Sequence, residues 1–309
     1  MDNVVISAGG YRAEFSPIGG ACLRLTHLET GAEILRTPKT PSAREAEPFL
    51  YGNPVLFPPN RIRGGRFTFG GREYVLPVNE KETGCCLHGT LHALPFERTG
   101  ESDFLFRTGK GEYLGFPHAF SVERSYRLGK EGLVERFTAR NLSPHPMPFF
   151  LAYHTTFRLP FLPRGKGEEC SLLLSVGREQ ARGGDYLPTG EWTRGEREEE
   201  LCAGNYFPFG KRVSAFFEGR GEARLSDGEY RVVYGAAEQF RYRLLWANGG
   251  DFVVIEPQTC AIDCFHLDAP AKEYGLIVIP PDGKTQLTTY IRLEKCGNIV
   301  YNGYRESLR

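Results

Sequence analysis

Turn residues punctuate this chain at short intervals, and the segments between them alternate apolar and polar residues with the two-residue period of a β-strand. Phe120, Val122, Tyr126 and Leu128 share one parity, while Ser121, Glu123, Ser125 and Arg127 share the other, so the segment has one dry face and one wet face. Residues 129–132 then mark a return into residues 133–139. The same logic makes a hairpin of Phe67 and Phe69, the Gly70-Gly71 turn and residues 74–78. Further strands are expected at residues 213–217, 230–234, 240–246, 252–256, 275–279 and 285–293, separated by Asp227-Gly228, Asn248-Gly249-Gly250 and Pro280-Pro281-Asp282-Gly283. No stretch reads as an amphipathic helix of three turns. The best, residues 194–201, is mostly charged and reads as a solvated surface excursion. The fold class is mainly antiparallel β, a barrel or a large β-sandwich.

With 309 residues the chain exceeds an average domain, but β-sandwiches often do, and no linker, repeat or low-complexity tract divides it. One domain over residues 1–309 is expected, with residues 160–195 as a long, loop-rich connection. The 22 Phe and 15 Tyr supply enough ring area to fill the space between two sheets. Basic and acidic residues balance at 38 each, which leaves no overall field to attract nucleic acid or an anionic membrane and suits a small molecule instead. The N-terminal MDNVVISAGG lacks a basic, apolar leader and no segment has the apolar length of a membrane span, so a cytoplasmic protein is expected. In that compartment the eight cysteines, two of them adjacent at Cys85 and Cys86, are expected to be reduced.

Four places carry candidate chemistry: Asn60-Arg61 within LFPPNRIRGGRF, His88 in LHG, His154 in FFLAYHTTF, and Glu256 in VVIEPQT. Arg61 offers a planar fork of donors, Asn60 both a donor and an acceptor, and Gly64-Gly65 a sharp turn, a set that suits a polyhydroxylated ligand. Glu256 closes the apolar run of residues 252–255, where a carboxylate is costly without partners, and Pro257 is expected to stop the pairing after it. Residue type alone leaves two readings open, a poised base or a salt bridge at a sheet edge, and a lone histidine among aromatics is often structural. Trp246 has two readings as well, a cover for the apolar face of a sugar or a core ring. His88 and His92 have metal-ligand spacing without a helix, and Cys260, Cys264 and His266 lack a fourth ligand, so neither group is taken as a metal site. Asp251 or Asp263 would be needed as the second carboxylate of a glycosidase, and no motif supports either.

The order and wording of these elements resemble the aldose 1-epimerase family, the galactose mutarotases. The likeness runs from Gly19-Gly20 through PNRIRGGRF, TFGGREYVLPVNE and LHGTLHALPFE to NLSPHPMPFFLAYHTTF, DYLPTG and IEPQT. It implies a galactose mutarotase-like supersandwich whose open face binds a pyranose. Glu256 would act as general base on the anomeric hydroxyl and His154 as general acid toward the ring oxygen. His88 would bond near the reacting oxygens, and Arg61 with Asn60 would hold other hydroxyls. Ring opening needs one proton removed and another delivered together, which a raised Glu and a protonated His could do near neutral pH. No cofactor or metal is required, and the expected partner is a sugar, with the protein a monomer or homodimer.

Two departures bear on the substrate. Many family members carry a sugar-binding aspartate where residues 206–213 read YFPFGKRV, so Lys211 and Arg212 could meet an anionic substituent or simply form a surface turn. That keeps a hexose-6-phosphate 1-epimerase in view beside the free-sugar enzyme. The second departure is His154-Thr155-Thr156-Phe157 in place of the commoner His-Pro-x-Phe. A carbohydrate-binding protein that kept the fold and lost the reaction is the other class of reading.

Overall fold

The structure, a computed structural model, describes residues 2–297; Met1 and residues 298–309 of the expected 1–309 unit lie outside the described residues. Strands dominate, as the alternation requires. Phe120–Gly129 pairs with Gly132–Asn141 in the expected hairpin, with Val122 opposite Ala139 and Leu128 opposite Leu133. From there a 14-stranded antiparallel sheet continues through Lys284–Lys295, Tyr230–Ala236, Arg212–Ser226, Tyr242–Asn248 and Phe252–Gln258 to Ala152–Tyr153 and Val55–Leu56. Arg66–Phe69 and Arg72–Val75 form the second expected hairpin, with Phe67 opposite Tyr74.

A four-stranded sheet built from Val4–Ala8, Tyr11–Ser16, Ala21–His27 and Ala32–Glu33 covers part of the large one. The layers meet through rings: Phe15 lies 4.6 Å from Tyr126, and Phe57 reaches Phe120 and Phe149 at 5.5 and 5.4 Å. Each such buried ring contributes roughly 1.5–3 kcal/mol relative to exposure, which is how a chain without long helices holds its sandwich together. Inside this core lies one ion pair with no exposed surface on its arginine: Arg124 Nε donates to Glu135 Oε1 at 2.7 Å, and Asn53 and Tyr153 donate to the same carboxylate.

Three expectations are corrected. Residues 160–195 are not a loop-rich connection over the sheet but carry the strands Ser171–Arg182 and Pro188–Thr193, the first of which pairs with Arg212–Ser226 in the large sheet. Residues 196–203 are not an irregular excursion but a helix, Glu196–Ala203, closed by left-handed Gly204. Its signal was hidden because only Glu198 and Leu201 are buried, so the periodicity rests on two positions. A second short helix, Pro41–Ala46, starts where Thr40 Oγ accepts from the Ala43 N–H, and with no buried residue it carries no apolar periodicity.

Nor does Pro257 stop its strand, which runs to Gln258 with Arg243 opposite Pro257. A proline removes one donor, and a strand residue directs its N–H toward only one neighbour, so the ladder is lost on one side alone. On the other side, Ala152 pairs with Gln258 and Thr155 with Ile255, with the ladder interrupted between. Glu256 therefore stands in an interior strand, not at a sheet edge.

No helix among the described residues is long and apolar enough to cross a membrane. All eight cysteines are free thiols, Cys260 and Cys264 among the buried ones.

Candidate functional site

The interruption beside Pro257 is where the site forms. The flanking registers, Ala152 with Gln258 and Thr155 with Ile255, put His154 directly opposite Glu256. His154 turns its backbone N–H away from that partner, donating at 2.9 Å to the Pro54 carbonyl of the next strand segment. Its side chain faces the carboxyl group, with Nε2 3.4 Å from Glu256 Oε1. Both residues are almost fully enclosed, His154 at 6% exposure and Glu256 at 1%.

Enclosure determines their charge. Burial pushes the Glu256 carboxyl up to about 8, against smaller opposing effects from the Gln258 amide, Arg182 and Arg61. Burial also pulls His154 down to about 4. The expected protonated histidine is therefore not the resting form: near neutral pH the pair holds one proton, and that proton sits on Glu256. A low-dielectric site favours the neutral acid beside a neutral imidazole over the ion pair, because desolvating two charges costs more than a 3.4 Å contact returns.

Polar groups without partners surround the pair. Gln258 Nε2 donates to Glu256 Oε2 at 2.9 Å while Gln258 Oε1 has no partner. His154 Nδ1 is likewise buried and unbonded. Folded proteins rarely leave such atoms unsatisfied, so their clustering marks a place where a polar ligand would complete the bonding.

The remaining expected residues converge here. Asn60 and His88 both adopt left-handed backbone, at φ 52° and 58°, and lock together: the Asn60 N–H donates to His88 Nδ1 at 3.2 Å and the His88 N–H to the Asn60 carbonyl at 2.9 Å. Because Nδ1 accepts, the His88 proton resides on Nε2 and is presented as a donor. Burial and nearby His154 keep this ring neutral, its pKa well below the usual histidine range. Gly89 makes the turn possible, since at φ 57° a Cβ there would fall 2.0 Å from the Phe57 carbonyl oxygen. The His88 and His154 rings lie 5.9 Å apart, and Trp246 lies 6.1 Å from His154, on the site rather than wholly in the core.

Arg61 is less free than its sequence setting implied. Its Nε and Nη2 each donate at 2.6 Å to Glu80, and its guanidinium rests 4.6 Å from the centre of the Tyr186 ring. Burial would raise the Glu80 carboxyl, but the bonds from Arg61 and Thr83 outweigh it and hold Glu80 below its ordinary value. Lys211 sits over Tyr206 and, with Arg212, lines a cavity of about 610 Å³ beside Glu179 and Arg197. The guanidiniums whose fields reach Glu256 are those of Arg182 and Arg61.

Several site residues were not foreseen. Phe49 packs against three imidazoles at once, His88 at 4.9 Å, His92 at 4.5 Å and His154 at 5.8 Å, and nothing local in PFLY signals it. Gln258 and Tyr186 lie inside the EPQT and DYLPTG stretches, so their place near the candidate site is readable although their contacts are not. Arg182 is isolated in sequence. Asp263 is committed elsewhere, accepting from the Arg63 N–H and His266 Nδ1, and Asp251 faces Arg36 from an exposed position.

Known proteins resemble this chain in sequence and in fold. A sequence profile of the family described as aldose 1-epimerase matches residues 2–213. A galactose mutarotase-like protein from Clostridium acetobutylicum superposes with a TM-score of 0.88 at 27% identity, covering 94% of this chain and 95% of that one. An aldose epimerase homologue from C. elegans shares the fold at a TM-score of 0.75 and 14% identity, covering 96% and 99%. The uncharacterized protein YihR of Escherichia coli K12 is 28% identical over 156 residues, so the match covers 49% of this chain and about half of that relative, 48% of its length.

Proposed function

The chain belongs to the aldose 1-epimerase family, and on that premise we propose that it interconverts the α and β anomers of an aldose by opening and closing the sugar ring. The observation that carries this reading is the His154–Glu256 pair: two titratable groups on facing strand positions, 3.4 Å apart and both enclosed. A protein that only binds sugar needs hydroxyl partners and stacking rings but has no use for such a pair.

In the proposed reaction Glu256, as carboxylate, takes the proton from the anomeric hydroxyl while the bond between C1 and the ring oxygen breaks and C1 becomes a carbonyl. His154 delivers its Nε2 proton to the departing ring oxygen. Rotation about the bond beside the carbonyl followed by the reverse transfers closes the other anomer. After ring opening Glu256 is protonated and His154 neutral, which is the state burial already favours. The starting state needs only the shared proton moved from Glu256 to His154, so the charge of the site never changes. His88 would donate from Nε2 to the reacting oxygens, Asn60 and Arg61 would hold further hydroxyls, and Trp246 would cover an apolar face of the ring.

The test is the approach of freshly dissolved α-glucose and α-galactose to anomeric equilibrium, followed by polarimetry or NMR in weakly catalysing buffer. Catalytic amounts of protein should accelerate it and Glu256→Gln should remove the acceleration; equal rates with and without protein for every sugar tried would refute the reading.

A further inference from the structure

Resting on that reading, we propose that Arg182 is an anion-recognising residue of the site and that the preferred substrate is a pyranose bearing an anionic group, phosphate, sulfonate or carboxylate, at the end remote from C1. Arg182 ends the strand Ser171–Arg182 and donates through Nη2 to the carbonyl of Ser214 and, at 3.3 Å, to its hydroxyl. Ser214 is the cross-strand partner of Trp246, and Trp246 reaches His154. The loop that follows Arg182 carries Tyr186, which packs on Arg61. Arg182 is thereby fixed to the rim of the same site from two directions.

Its position suits the far end of a sugar. Between the strand of Arg182 and that of Glu256 lie Arg212–Ser226 and Tyr242–Asn248, so the two backbones are separated by three strand spacings, about 14 Å. The guanidinium, drawn back over Ser214, shortens that span toward the length of a pyranose with its exocyclic substituent. Glu256 and His154 would hold the anomeric end while Arg182 faces the other.

Its charge is also met by no direct ion pair among the described residues, only by the more distant fields of Glu179 and Glu256. Arg61 has its charge met by both oxygens of Glu80. Among the described residues Arg182 has no carboxylate within ion-pair distance, and both acceptors it uses are neutral. The acid nearest in sequence, Glu179, is engaged by Arg197 at 2.8 Å, and Glu256 retains its proton up to about 8. Half-buried, Arg182 feels its surroundings as a cost: burial lowers its pKa and Arg61 adds repulsion, which the fields of Glu179 and Glu256 offset only in part. An arginine has five donors in a fork that matches two oxygens of one anion, and Nη2 alone is committed here. Two positions earlier on the same strand, Gln180 offers a buried Nε2 with no partner. A neutral hydroxymethyl group would satisfy few of these donors, whereas an anion would satisfy the fork and the charge together.

The experiment is saturation-transfer NMR of anomer exchange in glucose, glucose 6-phosphate, glucuronate and 6-deoxy-6-sulfoglucose, comparing the protein with Arg182→Gln and Arg182→Lys. One of the anionic sugars should exceed glucose in kcat/KM by about 10- to 100-fold, the worth of a charge-assisted bond, and which one does so identifies the anion. Arg182→Gln should collapse that ratio mainly through KM, and Arg182→Lys should restore part of it. Glucose preferred over every anionic sugar, or both kinds of sugar losing rate in proportion in Arg182→Gln, would overturn the proposal while leaving the epimerase reading intact. Acceleration of no sugar at all would defeat both.

Discussion

His154 and Glu256 are cross-strand partners, set opposite each other where Pro257 interrupts the ladder, with imidazole Nε2 3.4 Å from the carboxyl oxygen. Facing positions on antiparallel strands bring side chains close without any help from a loop. The pair is therefore held as rigidly as the sheet itself, and small changes at either residue should have large effects on turnover.

Replacing Glu256 by Gln keeps the shape and the Gln258 contact but removes the titrating oxygen. Anomer exchange should fall by about 100- to 10,000-fold, the usual contribution of a positioned acid or base. Sugar binding, followed by calorimetry, should persist.

The pair holds one proton between the titrations near 4 and 8, the lower with the character of His154 and the upper with that of Glu256. A profile of kcat/KM against pH should accordingly be flat across that interval and fall outside it. In Glu256→Gln the residual activity should have lost the alkaline limb; an unchanged limb would assign it to another group.

Stability should depend on pH through the same burial. His92, His118 and His154 are each pushed down to about 4 by burial, so below 6.5 the unfolded chain binds more protons than the folded one and stability rises with pH from about 4 to 6.5. Glu256 acts oppositely, since its folded value near 8 lies above the ordinary 4.5 and the folded chain holds the extra proton: its contribution is full below 4.5 and is lost as pH rises through 8. Melting temperature should climb between pH 4.5 and 6.5 and then level or decline, and Glu256→Gln should flatten the decline.

Glu135→Gln should destabilise by about 3–5 kcal/mol, because it leaves the enclosed Arg124 without its counter-charge. Urea melts measure this. Since Glu135 also accepts from Asn53 and Tyr153, the neighbours of Pro54 and His154, the folded fraction should show slower exchange as well.

Gly89→Ala should destabilise by more than about 1 kcal/mol, for its Cβ would meet the Phe57 carbonyl in a left-handed conformation. If the variant folds, displacement of adjacent His88 should raise KM. Native stability and KM together would contradict the role given to this turn.

Much of the architecture was legible in the residues themselves. Alternation in residues 120–139, the Gly70-Gly71 turn and the late Gly and Pro punctuation specify antiparallel strands, because a two-residue period leaves only one way to bury Phe120, Val122 and Tyr126 together. The motifs around Asn60, Arg61, His88, His154 and Glu256 pointed to the candidate site. What they could not carry was distance and field. That His154 faces Glu256 depends on a register between strands some hundred residues apart, and that Arg61 has two of its nitrogens on Glu80 depends on where a separate loop returns. The state of the shared proton follows from burial, which no single residue type encodes: the same carboxyl near 4.5 in water moves to about 8 once the sandwich closes over it. Phe49 and Arg182 carry no local pattern at all, and only packing brings the first onto three histidines and the second to the rim beside Trp246. The residues alone determined which groups were available; the tertiary structure decided which of them meet, which are already paired and which remain open to a ligand, since those depend on long-range register and desolvation.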